Sequence, residues 1–508
     1  MRHFDFIKLV GAGVAALCFP MPGFAPTQVA AAQQPSAGAG GTGVPNIIFL
    51  LTDDQAPGAM GCCGNGDIMT PNLDRLAQEG LRFTNHYNTT AICMASRCSI
   101  MTGLYEYRHG CNFDRGGLDR RFMDGSYPVL LRQGGYFTGF AGKIGFEIGG
   151  EKFAAFEEMF DQWAGGPGQT SYETGWNKNL AKYSDRYPHC TRAYGAWALD
   201  FFKAAKQSGK PFCLSISFKA PHNPQTPDPA DLSLYQGRNF TRPSNHGVEN
   251  GSHLSPQAHT SRAAIHYREW IDDYDAAART YYALITGVDD AVGMIRKGLA
   301  SENLDGNTVI IFTSDNGYNC GSHGFGDKVI PYEESAKSPL IIYDPRLPEK
   351  HSSEICSALT ANVDMAPTIC ALAGIPVPGS LDGRSLLPLM TDPRSRVRDS
   401  LPLFNFWGVP SAQSMAIVTP EWKYINWYYG GDGMKPAEEL FDLSKDGIEM
   451  HNLAADPGRA AQLDAMRKQY DAQLSSLATS AAGSYAPYAI LFDRTVPWER
   501  KEHLMKVP

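Results

Sequence analysis

Cys93 stands in the run Ile92-Cys93-Met94-Ala95-Ser96-Arg97-Cys98-Ser99-Ile100-Met101-Thr102-Gly103. A single cysteine is most often a small buried hydrophobe, so its chemistry has to be argued from its surroundings. Two acidic pairs supply them. Asp53-Asp54 follows the apolar run Ile47-Ile48-Phe49-Leu50-Leu51, and Asp315-Asn316-Gly317 follows Val309-Ile310-Ile311-Phe312. Asp, Asn and Gly also close turns for local hydrogen-bonding reasons. Brought together, though, three carboxylates and an amide oxygen are hard ligands that suit calcium or magnesium and not zinc. Arg97 lies four residues after Cys93, one turn on if a helix begins there, which puts both side chains on one face.

Hydrophobic patterning identifies the elements that must position these groups. The two short apolar runs read as buried strands. As strands of one parallel sheet they carry both acidic pairs to the same carboxyl edge, where open α/β sheets bind their ligands. Between them, Thr70-Pro71-Asn72-Leu73-Asp74-Arg75-Leu76-Ala77 reads as a helix, with Pro at its start and Leu73, Leu76 and Ala77 on one face.

The pattern Cys93-x-Ala95-x-Arg97 followed by Thr102-Gly103 resembles the modification site of the formylglycine-dependent sulfatases of the alkaline phosphatase superfamily. That pattern is Cys or Ser, any residue, Pro or Ala, any residue, Arg, then Thr-Gly. The resemblance implies that Cys93 is oxidised to an aldehyde whose hydrate offers two hydroxyls: one attacks sulfur, and the other later loses its proton so that sulfate is expelled. It implies a calcium ion, with magnesium the less favoured alternative, held by Asp53, Asp54, Asp315 and Asn316, with residue 93 completing the shell. Arg97 resembles the arginine that holds the hydrate. Lys143 and Lys328 resemble the two sulfate-binding lysines, and His222, in Phe218-Lys219-Ala220-Pro221-His222-Asn223-Pro224, resembles the histidine that protonates the leaving alcohol. One departure stands out. The family places a histidine two or three residues after the first lysine, and here those positions are Gly145 and Phe146. Glu147 is the nearest ionisable group in sequence, and its plain alternative is a solvated surface carboxylate.

The fold implied is α/β: a large mixed sheet sandwiched by helices, as in alkaline phosphatase, followed by a smaller C-terminal α+β domain. Trp422-Lys423-Tyr424-Ile425, Glu438-Glu439-Leu440-Phe441-Asp442-Leu443 and Asn452-Leu453-Ala454 carry the resemblance into that second part. The expected division is a signal peptide over 1–32, a flexible linker over 33–43, a catalytic domain over 44–395 and the small domain over 396–508. A length of 508 residues and 43% hydrophobic composition accommodate two cores. A net charge of -8 with no basic stripe argues against nucleic acid as a partner.

Arg2 and Lys8 precede an apolar run from Leu9 to Phe19, and Ala30-Ala31-Ala32 offers a cleavage site. The expectation is export to the periplasm or beyond. The run is too short to span a bilayer, so no membrane span is expected. Arg2-His3 resembles a twin-arginine signal with its second arginine replaced, which leaves the route open. Of eleven cysteines, Cys18 leaves with the signal, and some of the others are candidates for disulfides in an exported protein. No pairing is readable.

Segments 165–194 and 228–259 are rich in Gly, Pro, Asn, Ser and aromatics, the composition of recognition loops. Tyr172, Trp176 and Tyr235 are candidates for stacking on a sugar, against the alternative that they pack the loops themselves. The substrate expected is a sulfated small molecule or glycan. The biogenesis partner implied is a formylglycine-generating or anaerobic sulfatase-maturing enzyme. Two rival readings share the site: a phosphodiester or phosphonate ester hydrolase of the same superfamily, and a weakened sulfoglycan-binding protein, against which the retained Cys93, Arg97 and four metal-ligand candidates argue.

Overall fold

Continuous apolar runs produce strands buried on both faces. Asn46–Thr52 (β1) and Thr308–Ser314 (β7) are buried at every position. The protein is described by a computed structural model over residues 43–266, 268–347 and 353–505. The expected signal peptide and residues 33–42 of the linker lie outside the described residues.

The large sheet adds Leu81–Phe83 (β2), Phe137–Lys143 (β4), Gln162–Gly166 (β5), Phe212–Ser217 (β6), Leu340–Tyr343 (β8) and Glu354–Cys356 (β9). His86–Tyr87 (β3) and Thr360–Ala361 (β10) form a separate parallel pair. The eight-stranded order is β5-β4-β6-β1-β7-β8-β2-β9. It is mixed because β8 runs antiparallel to both β7 and β2, while β5, β4, β6, β1 and β7 are mutually parallel.

Alternation along β1 sends its side chains to two cores. Ile48 and Leu50 pack with the helices Pro71–Glu79 (α1), Cys190–Ser208 (α3) and Tyr274–Ser301 (α4), through Leu73, Phe201 and Val288 among others. Ile47, Phe49 and Leu51 face Cys93–Thr102 (α2) and Met365–Leu372 (α5), through Ile100, Met101 and Ile369. Helices therefore cover both faces of the sheet, as the resemblance implied. The helix expected from Thr70 is α1, with Leu73, Leu76 and Ala77 buried.

The C-terminal part is a four-stranded antiparallel sheet of Leu401–Asn405 (β11), Ser414–Val418 (β12), Trp422–Trp427 (β13) and Ala437–Asp442 (β14). One face packs under Ala460–Ser480 (α6) through Met415, Tyr424, Leu440, Met466 and Tyr470. The other packs Leu403, Ile425 and Phe441 against Tyr332, Ala336 and Val363. A fully buried Lys423 bridges Glu333 and Glu449, each at 2.7 Å. Such a network is tolerated only when its charges are paired.

Candidate active site

β1 and β7 are neighbours in parallel register, Thr52 beside Ser314, so Asp53 and Asp315 leave the same sheet edge. The Asp315 amide donates to Thr52 O at 3.1 Å. Asp54 turns through a left-handed φ of 70°, a conformation Asp tolerates better than most residues, and its amide donates to Asp315 Oδ1 at 3.2 Å. α2 starts at Cys93 itself. The Cys93 thiol donates to Asp53 Oδ1 at 3.3 Å, and one ligand atom each from Asp53, Asp54, Cys93 and Asp315 lie within 4.8 Å of one another. Asn316 donates through Nδ2 to Asp54 Oδ1 at 2.7 Å and to Gly317 O at 2.8 Å. Its Oδ1 is buried without a hydrogen-bond partner.

Cations enclose this acidic edge. Lys328 Nζ lies 2.9 Å from Cys93 Sγ and also bonds Asp54 Oδ1. From the end of β4, Lys143 bonds Asp53 Oδ2. Arg97 donates Nε to Asp315 Oδ2 at 2.8 Å, and Nη1 to Lys143 O at 2.8 Å and to Ser217 Oγ at 2.5 Å. Its Nη2 stands 3.4 Å from Asp53 Oδ2. His222 Nδ1 meets Asn223 O at 2.5 Å. A carbonyl only accepts, so Nδ1 carries the proton, and the other ring nitrogen is left to face the site. That Nε2 is 3.8 Å from Asp54 Oδ2.

The electrostatics follow from burial set against this charge pattern. Burial alone raises a carboxyl, but Lys143, His222, Arg97 and Lys328 together hold Asp53 well below the usual carboxylate range. For Asp315 burial wins, lifting it to about 6 against Arg97. Burial and the Asp53 charge push the Cys93 thiol up, which keeps it protonated and makes it a poor nucleophile as it stands. Burial lowers His222 despite Asp53 and Asp54. Burial opposes the Lys328 charge, but Asp54 and Cys93 outweigh it and hold its ammonium up.

All nine residues singled out in the sequence thus converge on one edge. For most of the remaining candidates the plain alternatives hold. Glu147 is exposed, with its backbone carbonyl accepting from the Leu118 amide, whereas Cys93 and its neighbours are buried. A side chain at Gly145 has no room: its φ is 80°, and a Cβ there would stand 2.4 Å from Arg97 Cδ. Phe146 is buried and packs edge-on against Phe156 at 5.5 Å. Tyr235 is wholly buried, its hydroxyl paired with Thr286 at 2.7 Å. Tyr172 is buried too, donating to His222 O at 2.8 Å. Of the three aromatics only Trp176 is exposed. The ten cysteines of the described residues are all free thiols.

Four further residues carried no signal in the sequence. Ser217, at the end of β6, holds Arg97. Val329, next to Lys328, adopts φ 73°, an outlier for a β-branched residue. Asn405 at the end of β11 donates to Val329 O at 3.0 Å and to Ala412 O at 2.9 Å. Trp407 packs on Ile92, Ala95 and Val329.

A sheet of this order, with carboxylates and a helix-initiating cysteine at its carboxyl edge, defines a hydrolase with the alkaline-phosphatase-like fold. Residues 45–375 match the sulfatase family, and residues 321–477 match the C-terminal part of N-sulphoglucosamine sulphohydrolase. The chain belongs to the sulfatase family and is a sulfuric ester hydrolase. It is 28% identical to an N-acetylglucosamine-6-O-sulfatase of Bacteroides thetaiotaomicron, covering 88% of each chain. To the human N-acetylglucosamine-6-sulfatase it is 29% identical, over 84% of this chain and 82% of that one. A protein solved in complex with its substrate D-glucosamine-2-N,6-O-disulfate superposes with a TM-score of 0.71 at 26% identity, covering 86% of this chain and 98% of that one. The phosphonate monoester hydrolase of Agrobacterium radiobacter shares the fold, with a TM-score of 0.66 at 22% identity and coverage of 86% and 95%.

Proposed function

We propose that this sulfatase hydrolyses a sulfate ester on a carbohydrate, using a formylglycine made from Cys93 beside a calcium ion. The observation that carries the reading is the meeting of Cys93 with Asp53, Asp54 and Asp315 within 4.8 Å, under the ammonium of Lys328. The carbohydrate assignment is supported by the N-acetylglucosamine sulfatases among the relatives.

The residues present fit the ion. Asp53, Asp54 and Asp315 supply carboxylate oxygens, and the unpartnered Oδ1 of Asn316 is a buried acceptor lacking a donor, a group that costs about 1–3 kcal/mol to leave unpaired. The set is all oxygen, which suits calcium over zinc. When bound, the ion polarises the sulfate oxygens and the residue-93 hydrate.

The thiol itself, buried and held protonated, is not the nucleophile. Converted to the aldehyde hydrate, residue 93 supplies one hydroxyl to attack sulfur and a second whose deprotonation expels sulfate. Lys143 and Lys328 turn from the carboxylates to the sulfate oxygens and stabilise the charge that develops there. Arg97, fixed by Asp315 and Ser217, holds the hydrate's end of the site. His222, with its Nε2 facing the site, is the general acid toward the leaving alcohol once Nε2 has taken up a proton, giving the doubly protonated ring that the charges of Asp53 and Asp54 favour against burial.

Residues 1–32 are the export signal for a periplasmic or secreted enzyme, residues 44–395 the catalytic domain and 396–508 the small domain. A formylglycine-generating or anaerobic maturing enzyme is the biogenesis partner. No described helix is long and apolar enough to cross a membrane. A peptide map of enzyme co-expressed with a maturing enzyme tests the mechanism: turnover should rise in proportion to aldehyde at residue 93, and Cys93→Ala should fold yet not turn over. A fully active preparation with an unmodified thiol would overturn it. Rates on sulfate, phosphate and phosphonate esters of one chromogenic alcohol check the ester preference.

A further inference from the structure

The sulfate end of the site is fixed by residues in the sheet edge, but beyond His222 they offer no surface for the body of the alcohol. The three aromatics suggested by the sequence do not supply a joint surface, since Tyr172 and Tyr235 are buried. A different pair is available. Trp407, in the turn after β11, is half-buried against Ile92 and Val329. These are the chain neighbours of Cys93 and Lys328, the two groups whose atoms stand 2.9 Å apart. Phe113, 48% exposed, lies with its ring centroid 5.7 Å from that of Trp407, the planes inclined at 55°.

We infer that Trp407 and Phe113 form the platform on which the pyranose ring of the sulfated substrate rests. This rests on the carbohydrate reading above and adds the surface and residues that select it. The argument is one of placement and chemistry. Apolar and aromatic side chains partly open to water beside a reacting centre are the usual lining of a ligand groove. Here one ring is anchored: Trp407 is held from beneath by residues adjoining the nucleophile and the sulfate-binding lysine, so its position is tied to theirs. Phe113 comes from a separate loop and widens the surface. The two rings are apolar and carry negative π faces, which complement the C–H face that a pyranose presents on one side. Its hydroxyls remain directed to solvent. An acyclic alcohol has no such face.

The test compares a pyranose sulfate, N-acetylglucosamine 6-sulfate, with an acyclic alkyl sulfate, both on enzyme matured in the same way. Losing one such contact should cost roughly two- to tenfold in kcat/KM. Phe113→Ala, an exchange at an exposed position, and Trp407→Ala should each lower the pyranose-to-acyclic ratio of kcat/KM by that factor. The loss should fall mainly on KM, and Trp407→Phe should restore part of it. Equal losses on both esters would show that Trp407 only supports Val329 and Lys328, and would overturn the platform. An unchanged ratio in both variants would do the same while leaving the carbohydrate reading intact. Wild-type enzyme that cleaves the acyclic ester and no pyranose ester would overturn both.

Discussion

Gly145 stands where the resemblance to the sulfatases implied a histidine, and the geometry says why a larger side chain is absent. Arg97 occupies the space a Cβ would need, and the left-handed backbone favours glycine. Neither position itself supplies a base, because Gly145 has no side chain, Phe146 is buried in an aromatic cluster, and the next residue, Glu147, is exposed. The expulsion of sulfate should therefore be the slow step. Rapid mixing with an activated aryl sulfate is expected to show a burst of alcohol followed by a slower steady rate, with Glu147→Gln unaltered; a linear onset would place the limit elsewhere. Gly145→His should not repair the step: it strains the backbone and displaces Arg97, so both melting temperature and activity should fall. His222 allows a separate check. General acid catalysis contributes about 10²- to 10⁴-fold, and less where the departing oxygen needs no proton. His222→Ala should slow a sugar sulfate far more than a nitrophenyl sulfate, and equal losses would reassign it to binding.

At the scale of elements, what was legible in the sequence was whatever repeats locally. β1 and β7 announced themselves as apolar runs and α1 by its proline and its spacing, whereas a helix at Cys93 was only the condition under which Arg97 would share its face. The latch between Asn405 and Val329 gave no such sign, since its partners are 76 residues apart and meet only when the small sheet docks. Neither Asn nor Val in those segments carries a pattern, and the positive φ of Val329 belongs to the tertiary structure. The latch makes a prediction. Removing the donor leaves a buried, strained carbonyl beside Lys328, so Asn405→Ala should lower kcat/KM about tenfold well below the unfolding temperature. Unchanged kinetics would show that Lys328 keeps its place unaided.

The buried Lys423 network links β13 to the segment after Lys328, and it has a pH signature. Burial, with Glu333 and Glu334 close by, lifts the Glu449 carboxyl to about 8 even against Lys423. Glu333 is held down to about 2 by Lys337 and Lys423 despite its own burial. The folded protein thus keeps a proton on Glu449 that the unfolded chain releases near pH 4.5. This contribution to stability is full below that value and is lost as pH rises through about 8. Melting temperature should decline over this range, and less so in Glu449→Gln. Parallel profiles for the two proteins would remove Glu449 from the account.

For the molecule as a whole, an ion bound only by the folded state adds stability by mass action. Chelation should lower the melting temperature and calcium should restore it, while stoichiometric zinc by elemental analysis would refute the assignment. Burial of Cys93 also has a consequence in time. In the finished protein residue 93 is 2% exposed, sealed beneath groups as far along the chain as Lys328, 235 residues later. At about 5–20 residues per second, a ribosome needs roughly ten to fifty seconds to make that stretch. Any enzyme that oxidises Cys93 has to work on the nascent or still unfolded chain before that lid is in place. The yield of active protein should then depend on how slowly the chain is translated and folded, and purified, folded thiol-form protein should resist conversion.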